Sequence, residues 1–130
     1  SMSSVQRDVI TTTNAPGAIG PYSQAIKATG SFLFCSGQIP LTPSGEVVQG
    51  DVKVQAKQCM ENIQGLLSAA GVGFGNVVKT TIFLSSMEHF AAVNEVYGSY
   101  FEAAPPARST VAVAGLPKNV DVEIEVVAAF

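Results

Sequence analysis

Apolar and polar positions alternate along this chain in two different periods, and the change from one to the other marks its elements. From Asp51 to Ala70 the apolar residues fall at Val52, Ala56, Cys59, Ile63, Leu66 or Leu67, and Ala70, the three- and four-residue steps of an amphipathic helix. Asp51 stands ready as its N-cap and Gly71 as its C-terminal stop. A second helix follows Ser85-Ser86-Met87-Glu88, which has capping-box spacing, and runs to about Phe101 with Phe90, Val93 and Tyr97 on its inner face. It must end before Pro105-Pro106, because neither proline can continue it. Period-two segments fill the rest. Val77 to Leu84 is rich in β-branched residues and reads as a strong strand. Ala25 to Ala28 and Phe32 to Gln38 read as a hairpin turning at Thr29-Gly30, and Phe32-Leu33-Phe34-Cys35, apolar on both faces, predicts a central strand. Arg7 to Thr12 alternates weakly, as an edge strand would. Arg108 to Ala114 and Asp121 to Ala129 read as a closing pair, with Val122, Ile124, Val126 and Ala128 on one face and Glu123 and Glu125 on the other.

Two loops draw attention. Asn14 to Gln24 carries two prolines and two glycines and delivers Tyr22 to the start of a strand, where it serves either as a core residue or as a pocket wall. Pro105-Pro106 launches the strand that opens with Arg108, one of only two arginines in the chain. A planar, permanently charged fork among small neutral residues calls for a carboxylate, supplied either by an internal Glu or Asp or by a ligand. If the last two strands pair as a hairpin, Glu123 falls opposite Ala112, and Arg108, Thr110, Ala112 and Glu123 line one surface. Arg108 then lies four strand positions, roughly 13 Å, from the level of Glu123. Asn94 borders the apolar stripe of the second helix.

Composition narrows the classes. With 130 residues and no linker or repeat, the chain is expected to form a single domain, residues 1–130, in which Ser1 ahead of Met2 reads as a cloning remnant. Apolar residues make up 47% and charged residues 13%. The usual charged share is about 25%, so the surface looks under-supplied and a buried subunit interface is expected. The net charge of −3 and the five scattered lysines leave no basic stripe for a phosphate backbone, so nucleic-acid binding is disfavoured. No apolar run approaches the ~20 residues of a membrane span, and a cytoplasmic location is expected, with a mitochondrial one open for a eukaryotic source. Cys35 and Cys59 are far apart and read as free thiols. His89 is the only histidine, so a catalytic triad or multi-histidine metal site has little to build on, and no metal is expected. An arginine, glutamates, a loop tyrosine and backbone donors could bind a carboxylate and orient a water, which suffices for an already electrophilic substrate such as a protonated imine.

The segments Ala18-Ile19-Gly20-Pro21-Tyr22-Ser23-Gln24, Ser36-Gly37-Gln38-Ile39-Pro40, Val78-Lys79-Thr80-Thr81-Ile82-Phe83, Pro106-Ala107-Arg108-Ser109 and Leu116-Pro117-Lys118 through Val122-Glu123-Ile124-Glu125 resemble, in this order, the reactive intermediate deaminase (Rid, YjgF-like) family in its imine deaminase subgroup. The resemblance implies an α+β, chorismate-mutase-like fold with one mixed six-stranded sheet, two helices on one face, and a homotrimer with ligand sites between subunits. It implies cofactor-free hydrolysis of 2-iminobutanoate and 2-iminopropanoate, released by pyridoxal-phosphate enzymes, to 2-keto acids and ammonia. Carried over by position, Arg108 would clamp the substrate carboxylate and Glu123 would position or deprotonate water. Tyr22 and Asn94 would shape the pocket, completed by Ser36, Gly37 and backbone groups near Thr110. Thr110 stands where many relatives carry cysteine. Similar chains have also been described as chaperone-like or as RNA-directed translation inhibitors, which keeps a binding trimer and an RNA-directed protein as alternatives.

Overall fold

The computed structural model describes residues 6–130; Ser1, read as a remnant, lies outside them. These residues fold as α+β, with six strands and two main helices among them. Strands β1 (Gln6–Ile10) and β2 (Ala25–Thr29) form an antiparallel pair. Strands β3 (Phe32–Phe34), β4 (Val77–Leu84), β5 (Ala107–Ala112) and β6 (Val122–Ala129) form a separate mixed sheet in the order β3-β6-β4-β5. The six strands are those expected, but they divide into a pair and a four-stranded sheet. Helices α1 (Val52–Ala69) and α2 (Phe90–Gly98) pack on one face of the larger sheet.

Helix α1 follows its pattern closely. The Asp51 carboxylate accepts from the Val54 amide at 3.1 Å, and Gly71 leaves the helix at φ 77°, a conformation that suits a residue without Cβ. Its inner face, Ala56, Cys59, Met60, Ile63 and Leu67, is sealed against Val122, Ile124 and Val126 of β6 and Ile82 and Leu84 of β4. The second helix differs from expectation at both ends. Ser86, not Ser85, is the cap, accepting from the Glu88 amide at 3.2 Å, and the first turn is 3-10. Ser85 instead donates to Asp121. Helix α2 stops at Gly98, where Pro21 packs so closely that an added Cβ would lie 3.3 Å from it, and the chain continues to Phe101 through single i to i−3 turns.

Three pairings depart from the sequence reading. β2 and β3 are not a hairpin: β2 pairs with β1, and β3 with β6, because Ser31 and Phe130 exchange backbone bonds beyond the turn. Nor is β3 central; it is an edge strand whose Phe34 is 76% exposed. The last two strands do not pair either. β4 lies between them, parallel to β5 and antiparallel to β6. A crossover through α2 joins β4 to β5, as parallel neighbours require. Among the described residues no helix is long and apolar enough to cross a membrane.

Candidate active site

Register decides which side chains can meet. Thr80, Ile82 and Leu84 of β4 face the helices, and their partners on β5 are Arg108, Thr110 and Ala112. In a sheet, side chains of register partners share a face. Arg108 and Thr110 therefore point to the helix side, beside α2. On β6 the helix-facing set is Val122, Ile124, Val126 and Ala128, so Glu123 and Glu125 occupy the opposite face with Phe83 and Thr81. The expectation that Arg108, Thr110, Ala112 and Glu123 line one surface is thus overturned. Within one chain Arg108 and Glu123 lie on opposite faces of the sheet, with β4 between their strands.

Two groups of side chains result. The first is built around Arg108. Its guanidinium lies 5.4 Å from the ring centre of Tyr22, 5.6 Å from Phe90 and 5.3 Å from Tyr97, and it donates through Nη1 to the amide oxygen of Asn94. Ring faces attract a cation without neutralising it. Among the described residues the ion pairs are Lys53 with Glu95 and His89 with Asp121, and no carboxylate among them answers Arg108. That removes the internal salt bridge as an explanation of the arginine. Burial pulls the guanidinium below its ordinary pKa, partly offset by Tyr97 and Tyr22. Gly20 lies against the group: an added Cβ there would stand 3.6 Å from Asn94, 3.6 Å from Tyr22 and 3.7 Å from Arg108. The loop is tied down by its neighbours. Ser23 bonds through its amide to the Pro106 carbonyl at 3.1 Å and through its hydroxyl to the Pro105 carbonyl, while the Ile19 amide donates to the Tyr22 hydroxyl at 3.3 Å. Thr110 completes this half. Its hydroxyl oxygen is buried and has no hydrogen-bond partner, a condition that costs roughly 1–3 kcal/mol and is relieved by a ligand or water.

Phe90 and Tyr97 were legible only as an apolar helical stripe. Nothing in their spacing distinguished a wall around a cation from ordinary core. Tyr97 is also braced from behind, its hydroxyl 2.7 Å from Thr80 Oγ1, and burial pushes its pKa up to about 12. The neutral phenol therefore persists under any ordinary condition.

The second group is Ser36, Gly37 and Glu123. An added Cβ on Gly37 would lie 2.0 Å from Glu123 Oε2 and 2.9 Å from its carboxyl carbon, so glycine is what lets the carboxylate lie across this strand end. The segment is held beside β6 by reciprocal backbone bonds between Gln38 and Ile124, at 2.8 and 3.0 Å. Ser36 is exposed, and its carbonyl accepts from the Gln38 amide side chain. The structure thus brings Tyr22, Asn94, Arg108 and Thr110 together, and Ser36, Gly37 and Glu123 together, but not the two groups with each other.

Comparison with known proteins gives the chain its relatives. The family model described as Endoribonuclease L-PSP matches residues 12–130. A RutC family protein of Pyrococcus horikoshii is 54% identical over 94% of this chain and 97% of its own. The 2-iminobutanoate/2-iminopropanoate deaminase of Mus musculus is 50% identical over 98% of this chain and 94% of its own. Among solved structures, E. coli TdcF with bound serine superposes with a TM-score of 0.73 at 45% identity, covering 95% of this chain and 98% of that one.

Proposed function

Since the chain belongs to the Endoribonuclease L-PSP (YjgF/Rid) family, we propose that it is a cofactor-free imine deaminase, hydrolysing 2-iminobutanoate, 2-iminopropanoate and similar 2-imino acids to 2-keto acids and ammonia. The observation that carries this reading is the unneutralised Arg108 guanidinium, held between three ring faces and one amide oxygen. A small 2-imino acid offers the carboxylate that this fork lacks. The mammalian relatives named as imine deaminases support the same reading at about 50% identity.

The complete site would be formed between subunits. Phe34, Phe32 and Val111 leave apolar surface exposed on the chain, and a homotrimer that covers the helix-free face would set the Glu123 half of one subunit against the Arg108 half of its neighbour. Closed rings of this kind repeat one heterologous contact around the axis. Arg108 would then fix the carboxylate, and Thr110 would offer its unpartnered hydroxyl to the same ligand. Glu123 from across the contact would orient the attacking water. Water adds to the carbon of the protonated imine, forming the C–O bond as the C=N π pair moves to nitrogen, and gives a proton to Glu123. Glu123 passes that proton to the amine nitrogen and then takes the hydroxyl proton as the C=O bond forms and the C–N bond breaks, so ammonia leaves a 2-keto acid and Glu123 returns the last proton to solvent. No redox change occurs.

The test is ammonia and keto-acid release when the protein meets 2-iminobutanoate generated by a threonine dehydratase. Wild type should exceed spontaneous hydrolysis, and Arg108→Ala should lose roughly a hundredfold or more of that acceleration while staying folded. No acceleration by folded wild type would transfer the site to a small-acid-binding or chaperone-like role. An RNA-directed reading is suggested by the family's description, and RNA cleavage undiminished by Arg108→Ala would favour it. The net charge of −3 weighs against it.

A further inference from the structure

The second arginine of the chain stands at a different cleft, on the other side of the Tyr97–Phe101 contact from the site just described. Arg7, Phe74, Tyr100, Phe101, Glu102 and Ala104 surround a space of about 430 Å³ between the start of β1, the turn before β4 and the loop after α2. That volume falls in the range of small-molecule sites, which is roughly 300–1,000 Å³. Its walls are aromatic and mutually braced. Phe74 packs against Tyr100 at 5.3 Å and edge-on against Phe101 at 5.5 Å. Tyr100 is fixed further by its hydroxyl, which donates to Glu61 at 2.8 Å.

Arg7 closes one end. Two of the five N–H groups of a guanidinium, on Nε and Nη2, are engaged with the Val77 carbonyl at 3.1 and 3.0 Å. This fixes the plane of the fork and leaves its outer edge, centred on Nη1, without a carboxylate within 4 Å among the described residues. Structural anchoring of β1 explains the inner edge alone. The outer edge matches a carboxylate in bidentate geometry, and the rings beside it match an apolar or aromatic body. Glu102 on the rim makes a second negative charge on the occupant unfavourable.

We propose that this cleft is a second ligand site, separate from the Arg108 site, that binds a small aromatic monocarboxylate with its carboxylate on Arg7 and its ring against Phe74, Tyr100 and Phe101. The proposal does not depend on the imine deaminase reading. It is tested with phenylacetate, titrated into the isotope-labelled full chain carrying Arg108→Ala, so that the other arginine cannot bind the probe. Saturable amide shifts at Gly75, Phe101 and Ala104 are expected. Arg7→Gln should weaken them roughly tenfold or more, the loss of a charge-assisted pair. Because Arg7 also anchors Val77, a second variant keeps that bond intact. Gly75 also lines the cleft, and an added Cβ there meets nothing within 4 Å, so Gly75→Leu would take up space meant for the ligand while leaving the Arg7 bond to Val77 in place, and it too should weaken the shifts at Phe101 and Ala104. Absence of saturable shifts at these amides, or an affinity unchanged from the parent protein in both variants, would overturn the proposal.

Discussion

Arg108 keeps its charge because its neighbours attract it without cancelling it. Three rings and an amide surround the guanidinium, and the chemistry of the site depends on that neutrality. Asn94→Asp would place a carboxylate where an amide now accepts from Nη1, supplying the internal partner the chain otherwise lacks. The KM for a 2-imino acid should rise roughly tenfold, with a smaller change in kcat; an unchanged KM would mean that Arg108 does not meet the substrate carboxylate. Gly37 tests the other half. Alanine there collides with the Glu123 carboxylate, whose Oε2 lies 2.0 Å from the new Cβ. The carboxylate is the end of a flexible side chain, so it should swing away at little cost in stability while turnover falls about as far as in Glu123→Gln, roughly a hundredfold. Steady-state kinetics beside a thermal melt separates the two effects. Arginine and glycine were both conspicuous in the chain, one as a lone fork in neutral surroundings and one within a recognisable block. Phe90 and Tyr97 were not, because an aromatic face against a cation and an aromatic face against aliphatic core have the same helical spacing.

Among the elements, helices were easier to read than strand partners. Helix α1 carries its own instructions in Asp51, Gly71 and a continuous inner stripe, all local in sequence. Strand neighbours are chosen at long range. β5 shows why: one of its faces is Arg108, Thr110 and Ala112, the other Ala107, Ser109 and Val111, and neither is apolar enough to announce which meets the helices. Only parallel pairing with β4 decides it, and that pairing places Arg108 beside α2 and Glu123 on the opposite side. The layer between helices and sheet also sets an alkaline limit on the fold. Burial, assisted by the negative charge of Glu123, pushes the Cys59 thiol up to about 12, and burial raises the Tyr97 phenol likewise to about 12, against ordinary values of 9.0 and 10.0. Both groups are held neutral when folded and ionise earlier when unfolded. Their contribution is therefore complete below about pH 9 and is lost as pH climbs from there toward 12. Urea midpoints should be level up to pH 9 and then fall, less steeply in Tyr97→Phe; a midpoint unchanged to pH 11 would contradict the burial of these groups.

At the scale of the whole molecule, two groups of side chains lie on opposite faces of the sheet, Arg108 with Tyr22, Asn94 and Thr110 on the helix side, Glu123 with Ser36 and Gly37 on the other. A low share of charged residues, 13%, pointed to surface that needs covering, and Phe34 at 76% exposure shows where some of it lies. The proposed trimer follows from joining these facts: the same contact that covers the apolar face unites the halves. Mixing two inactive variants tests this most directly. Arg108→Ala subunits retain the Glu123 half and Glu123→Gln subunits retain the Arg108 half. Unfolded together and refolded at equal amounts, they should recover about a quarter of the wild-type imine deaminase rate, the share of intact pairings expected for random assortment into closed rings of three. Each variant refolded alone should stay inactive. A mixture as inactive as its components, formed under conditions where wild type regains its rate, would contradict a site shared between subunits.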